Sequence, residues 1–292
     1  MKKIFSFNDY CKQRFGCKVY RLPLNTGLSC PNRKTEVRGC IYCDAFGSGA
    51  QLYPPNIQSI EDQIKYSINL FSAKRKAEKF YAYFQSYSNT FAEISVLKKL
   101  YDSAFIDDRI VGLIIATRPD CIDNKKLELI ASYQSKFDVW LEIGLQSANN
   151  QTLEWLKRGH TVEDFLRAIN LCADLNINTT AHIIFGLPIE TKHQMLETAK
   201  LVSDSKINGL KIHSLYIIKN TELADIYLKE KFQLLTMSEY CELVIETIKL
   251  LDDNIVLHRL TGETDKERLI APDWVLQKNT VLQTIYSAFG NA

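Results

Sequence analysis

An α/β fold built on parallel strands is predicted by three observations on the 292-residue chain: β-rich runs alternate with helix-period runs from Lys79 onward, six strand candidates are each followed by a helical segment, and no Gly/Ser linker interrupts them. The strand candidates are 19–24, 80–85, 110–117, 139–146, 178–186 and 210–217; the helix candidates are 59–76, 91–103, 124–135, 162–175, 192–203 and 238–251. Ser59 followed by Glu61 and Asp62, and Thr161 followed by Glu163 and Asp164, are start signals, because carboxylates suit the positive end of a helix. A doubly wound sheet and a barrel, complete or partly open, both satisfy this pattern, and in both the functional groups gather where strands end. The segments to inspect are therefore 85–90, 117–121, 146–150, 186–190 and 213–219. Residues 254–292 read as strand-like through 256–260 and helical near the end, with no boundary that would detach them.

Composition narrows the function class. With 46% hydrophobic residues and no low-complexity tract, a large core is expected, and a formal net charge of +2 is too small to argue for nucleic acid by itself. The N-terminus, Met1-Lys2-Lys3-Ile4-Phe5-Ser6-Phe7, lacks an apolar h-region, and no stretch reaches the roughly 18 apolar residues of a membrane span. A cytoplasmic protein without a membrane partner is expected. Eight cysteines in a reducing compartment then read as core residues or metal ligands rather than a disulfide framework.

Three of the eight share one polar loop after the first strand candidate: Cys30, Cys40 and Cys43, the last two as Cys40-Ile41-Tyr42-Cys43. Thiolates suit iron–sulfur clusters and zinc, but a structural zinc site closes with four ligands, whereas three thiolates on a four-iron cluster leave one iron open. Two bland readings stand beside this one: buried cysteines that merely share a loop, and zinc with Cys17, Cys11 or a histidine as fourth ligand. Against the second, the strand-like Val19-Tyr20-Arg21-Leu22 separates Cys17 from Cys30. Cys121, Cys172 and Cys241 fall in separate segments and read as core.

Here the motifs become specific. Cys40-Ile41-Tyr42-Cys43 resembles the end of the radical S-adenosylmethionine (SAM) signature, and the long first gap resembles the YtqA/YhcC family of radical SAM proteins and, more distantly, the radical SAM domain of the elongator catalytic subunit. Further matching segments follow in order: Leu28-Ser29-Cys30-Pro31-Asn32-Arg33, Gly47-Ser48-Gly49, Phe84-Gln85-Ser86-Tyr87-Ser88-Asn89-Thr90, Thr117-Arg118-Pro119-Asp120, Leu141-Glu142-Ile143-Gly144-Leu145-Gln146-Ser147, Arg158-Gly159-His160 and His258-Arg259-Leu260-Thr261-Gly262. Cys17 before Lys18 departs from the family pattern.

The resemblance implies a partial (β/α)6 TIM-like barrel in a single domain over 1–292, with a cluster loop at about 25–50, the barrel over about 18–235 and a C-terminal extension over about 236–292. It implies a [4Fe-4S] cluster on Cys30, Cys40 and Cys43, SAM chelating the open iron, a reducing donor such as flavodoxin or ferredoxin, and a 5′-deoxyadenosyl radical that abstracts a substrate hydrogen. The cofactors carry the hard chemistry; the protein positions them and excludes water. For SAM, Gln85–Asn89 resembles the loop that meets the methionine amino group, through Ser86, Ser88 or Asn89. Glu142 and Gln146, an even number of residues apart, share one face of their strand as ribose or methionine ligands. Glu142 has the alternative of pairing with Arg118 or Arg158, and Arg158 that of capping the short helix before it rather than binding the methionine carboxylate. Gly186 resembles the fifth-strand element framing adenine and reads equally as a strand-ending turn. His213 and Tyr216 are the candidates for facing the substrate, with a satisfied core histidine as the alternative.

The same resemblance implies tRNA modification: loss of the carboxymethyl portion of carboxymethylaminomethyluridine at the wobble position, leaving aminomethyluridine. Arg33, Lys34 and Arg38 in the cysteine loop, and Lys74, Arg75, Lys76 and Lys79 at the end of the first helix candidate, are groups for phosphate, although a basic helix end also suits the helix dipole. Tyr42, Phe46, Tyr53 and Tyr87 are candidates to stack an extruded base. The segment His258 to Glu263 is polar enough to cover the barrel or guide substrate. Competing readings are a radical SAM enzyme acting on a small metabolite or a protein, and a non-catalytic zinc-stabilised binding module.

Overall fold

In the computed structural model, residues 2–33, 39–45, 47 and 53–290 are described. Seven parallel strands form one open sheet in the order β1 (Val19–Leu24), β2 (Lys79–Phe84), β3 (Ile110–Thr117), β4 (Asp138–Gln146), β5 (Asn178–Phe185), β6 (Gly209–Ser214) and β8 (Val256–Arg259); β7 (Ile217–Ile218) and β9 (Leu269–Ala271) make a separate antiparallel pair. Five strands thus match the sequence-predicted positions to within one residue at each end, the sixth starts one residue early, and the seventh comes from the C-terminal segment, where the strand-like run was expected. The strand expected at 210–217 ends at Ser214, and its tail becomes β7.

Period-two alternation explains the layering. On β2 to β6 one set of side chains, Phe80, Phe84, Leu113, Leu141, Ile183 and Leu210 among them, joins the main core under the helices. The alternate set faces the concave side, where Tyr81, Tyr83, Ile114 and Trp140 cluster at its lower part. The helices over the outer face are α2 (Ile60–Arg75), α3 (Ile94–Asp102), α4 (Asn124–Ser132), α6 (Val162–Asp174), α7 (Lys192–Asp204) and α9 (Met237–Leu250). Ser59, Thr161, Thr191 and Thr236 cap them by accepting backbone N–H donors, three within capping boxes.

Four helices have no counterpart among the sequence-predicted elements or only a loose one: α1 (Phe7–Phe15), α5 (Asn150–Trp155), α8 (Glu222–Glu230) and α10 (Lys278–Ser287). The first matters most. Leu257 N–H donates to Phe5 O, so the segment entering α1 pairs with the free edge of β8. Helix α1 then touches both β1 and β8 and drives Phe7 against Tyr81, Trp140 and His258. Beside it Asp138 accepts from Tyr10 (2.8 Å), Tyr81 (2.5 Å), Trp140 (2.8 Å) and Arg14 (2.9 Å). The N-terminal end of the half-barrel is thereby plugged, and access is left at the C-terminal strand ends. Trp274 donates to Leu235 O and packs on Tyr240, fixing the chain before α10. No helix of the described residues is long and apolar enough to cross a membrane.

Candidate active site

A cavity of about 430 Å³ lies at the C-terminal strand ends, and Cys30, Cys40 and Cys43 line it; the other five cysteines do not. Cys11 and Cys17 precede β1 while Cys30 follows it, and six residues of strand separate the two ends by about 20 Å. The expected zinc alternative therefore loses Cys11 and Cys17 as closing ligands. Among the described residues no three of His, Cys, Asp and Glu converge as holders of a metal ion.

The cysteine loop is tied to the turn after α5. Asn32 Nδ2 reaches the carbonyls of Lys157 (2.6 Å) and Arg158 (2.8 Å) and the Cys40 sulfur (3.5 Å). Gly159 has a φ of +68°, and a Cβ there would stand 2.6 Å from Asn32 Oδ1, so the close approach requires glycine. Arg158 completes the tie: Nη1 donates to Cys40 Sγ (3.3 Å) and Tyr42 (3.1 Å), Nη2 to Gly144 O (3.0 Å), and Nε to His160 (3.2 Å). It does not cap α5. Burial disfavours the Cys40 thiolate, but Arg158, Arg118 and Asn32 outweigh it and hold the thiol below its usual range.

Glu142, Gln146, Arg158, His213 and Tyr216 all line this one cavity. Glu142 pairs neither with Arg118, which holds Asp120 at 2.7 Å, nor with Arg158. Its carboxylate accepts from Tyr83 (3.0 Å to each oxygen) and from Lys211, which also donates to Tyr83 (2.8 Å). Burial works against the ionised carboxyl, and Lys211 and Arg21 overcome it, keeping Glu142 below its usual range. Burial likewise pushes Lys211 down to about 8. Gln146 has a φ of +75° where a bulge interrupts the β4–β5 ladder, and its buried Oε1 lacks a hydrogen-bond partner among the described residues.

Other positions differ from expectation. Asn89 uses its amide to donate to the carbonyls of Phe84, Ser86 and Ala116 and accepts from Thr26, so it holds the loop together. Ser88 is fully buried and away from the cavity; Gln85 and Tyr87 are the members of that loop that line it. Gly186 does not line the cavity: it takes a φ of +93° and its N–H donates to Met195 Sδ, the strand-ending turn of the alternative reading. Tyr53 bonds Pro23 O and Ser67, away from the mouth. Lys74, Arg75 and Lys76 end α2 just before β2 begins, which puts them at the plugged end of the sheet. Lys34, Arg38, Phe46, Ser48 and Gly49 lie outside the described residues.

Sequence reasoning missed Lys211, Tyr83 and His182 on the concave face. The signal was available, since each lies an even number of residues before the start of an inspected segment: Lys211 two before His213, Tyr83 two before Gln85 and His182 four before Gly186.

A parallel half-barrel with three thiols at its mouth defines an enzyme that works through a cofactor at the strand ends. The chain belongs to the radical SAM superfamily, whose family model matches residues 25–202, and the Radical_SAM C-terminal domain model matches 207–290. It is 33% identical over 292 residues to the uncharacterized protein YtqA of Bacillus subtilis, covering 99% of this chain and 90% of YtqA. It is 29% identical over 141 residues to a tRNA uridine(34) acetyltransferase of Methanocaldococcus jannaschii, covering 47% of this chain and 26% of that protein. The archaeal Methanocaldococcus infernus Elp3 structure shares the fold, with a TM-score of 0.67 at 19% identity over 80% of this chain and 60% of that one. The protein is thus a radical SAM enzyme, a class that works with a [4Fe-4S] cluster and SAM.

Proposed function

We propose that Cys30, Cys40 and Cys43 hold the cluster, that SAM occupies the cavity between them and the Glu142–Lys211 floor, and that the substrate is tRNA carrying carboxymethylaminomethyluridine at the wobble position, whose carboxymethyl carbon would lose a hydrogen atom to the SAM-derived radical and an electron to the oxidised cluster, water then splitting the resulting imine into aminomethyluridine and glyoxylate. The observation that carries this reading is that, of eight cysteines, the three in the signature loop are the ones that line the cavity. Thiols spread around a wall suit a polynuclear cluster, in which each ligand meets a different iron. The bound cluster, re-reduced by a donor such as flavodoxin or ferredoxin, supplies the electron that splits the sulfonium C–S bond of SAM.

The residues of this chain do the remaining work. Arg158 and Asn32 stabilise the Cys40 thiolate and fix its loop. Gln146 offers an acceptor, unpartnered among the described residues, to a SAM hydroxyl or ammonium hydrogen, and Arg118 an Nη1 donor, likewise unpartnered among them, to its carboxylate. The plugged floor excludes water from the opposite end. For the tRNA part, support comes from the relative named for tRNA uridine(34), and from Tyr42, Tyr87 and Arg33 at the mouth, groups that stack bases and meet phosphate.

The test is anaerobic incubation of reconstituted protein with SAM, dithionite and tRNA bearing carboxymethylaminomethyluridine, followed by nucleoside mass spectrometry. Aminomethyluridine appearing with 5′-deoxyadenosine supports the reading. Release of 5′-deoxyadenosine while the uridine stays intact would move the substrate to a small metabolite or protein.

A further inference from the structure

Among the described residues six cations line the cavity: Arg33, Arg118, Arg158, Lys211, Arg259 and Arg268. Five have acceptors. Arg33 donates to Asp44 O, Arg118 to Asp120, Arg158 to Cys40, Lys211 to Glu142 and Arg268 to the Asp44 carboxylate. Arg259 has none among the described residues, and no carboxylate there stands within ion-pair distance of it. Glu142, the carboxylate on the floor, is taken by Lys211 and Tyr83, and Glu263 of the covering segment by Lys278.

This guanidinium is placed by a local irregularity. The β6–β8 ladder pairs Leu210 with Leu257 but Lys211 with Arg259, so His258 is the extra residue of a bulge. Bulges re-aim side chains. Here His258 turns toward Arg21 (3.1 Å) at the plugged end, and Arg259 comes level with Lys211 on the cavity wall. Immediately after, the chain runs so close to β6 that a Cβ on Gly262 would meet Ser214 at 2.8 Å, Tyr216 at 2.8 Å and His213 at 3.1 Å. The wall is therefore tightly built. Two ring nitrogens of residues lining the same cavity, His213 Nδ1 and His182 Nε2, are buried without a hydrogen-bond partner among the described residues.

We propose that Arg259, with His213, forms a carboxylate subsite on the β6–β8 wall, at the sheet edge opposite β1 and its cysteine loop, and that it holds the carboxylate of the substrate side chain. A guanidinium fork matches a carboxylate in a bidentate way, and imidazole N–H adds a further donor. Among the described residues every other cation lining the cavity has at least one acceptor, so Arg259 is a positioning charge awaiting an anion. The identity of the substrate rests on the wobble-uridine reading above; the carboxylate chemistry of the subsite does not.

Two ligands separate these claims, both used with the reconstituted protein saturated with SAM. The first is acetate, followed by binding-dependent broadening of its methyl resonance. The second is 5-carboxymethylaminomethyluridine set against 5-aminomethyluridine, followed by calorimetry. Wild type is expected to broaden acetate and to prefer the carboxylate nucleoside by about tenfold or more, the scale of a charge-assisted hydrogen bond. Arg259→Gln is expected to lose both effects at unchanged SAM affinity, and Arg259→Lys to keep part of each. Acetate broadening that persists in Arg259→Gln overturns the subsite, and so does a fall in SAM affinity, which would assign Arg259 to the methionine carboxylate. Arg259-dependent acetate binding with neither nucleoside bound supports the subsite and removes the wobble-uridine reading instead.

Discussion

Arg158 Nη1 stands 3.3 Å from Cys40 Sγ, joining the turn after α5 to the loop after β1. The same guanidinium serves Tyr42 and Gly144 O. Replacement by Met leaves these buried acceptors without a donor and is expected to destabilise the fold by about 3 kcal/mol or more, measured by urea denaturation. Arg158→Lys keeps the charge but loses the fork and should fall between the two.

Gly159→Ala sets a methyl 2.6 Å from Asn32 Oδ1 at a φ of +68°. The turn must move away from the cysteine loop, at a cost of about 1–3 kcal/mol for the backbone strain. Because Asn32 is the shared contact, Asn32→Ala in the same chain should make the Gly159 change milder. A double-mutant cycle on the thermal midpoint checks the coupling.

Glu142 and Lys211 form a buried pair across the concave face, reaching from β4 to β6 over the intervening β5. Glu142→Gln or Lys211→Met alone strands the remaining charge and should cost about 3–5 kcal/mol, whereas the double variant should recover much of that loss. Denaturant midpoints of the three variants decide it. A double variant as unstable as the worse single would contradict the pairing.

Of the five histidines, His160 and His258 are buried and His182 and His213 half-buried, and all four are kept neutral. Burial, the first cause in each case, together with nearby cations lowers His160 to about 3 and holds His182, His213 and His258 well below their ordinary value. The unfolded chain takes up these protons near pH 6.5 and the folded chain does not, so stability is full above that pH and is lost as pH falls below it. Urea midpoints should decline steadily from pH 7 to 5. His258→Asn, which removes the ring sandwiched by Phe7 and Trp140, should flatten that slope while lowering the plateau.

Much of the fold was legible because the barrel strands carry a physical signature. Runs such as Ile110–Thr117 are apolar on the helix-facing side and end in polar residues where the chain leaves the sheet. Cysteine spacing located the loop for the same reason: metal-binding thiols gather in one polar segment. The rest depended on contacts between distant parts of the chain. Asn89 reads as a ligand by its position in the loop, yet its amide bridges β2 and β3 carbonyls, which no local pattern reveals. The α1 plug escaped notice because its burial comes from β1 and β8 rather than from a strong apolar stripe of its own. The position of the basic run at Lys74 to Lys76 was not legible, because charge alone does not say which end of a sheet a helix finishes at; parallel connectivity does.

The central claim is that Cys30, Cys40 and Cys43 hold a site-differentiated cluster that SAM reaches in this cavity. Iron and sulfide analysis of anaerobically reconstituted protein, with EPR of the reduced state before and after SAM and a Cys40→Ala control, tests it most directly. The account predicts a reduced [4Fe-4S] signal that SAM perturbs, that Cys40→Ala abolishes and that Cys17→Ala leaves intact. Zinc in place of iron after reconstitution, or a cluster that survives Cys40→Ala, would contradict it.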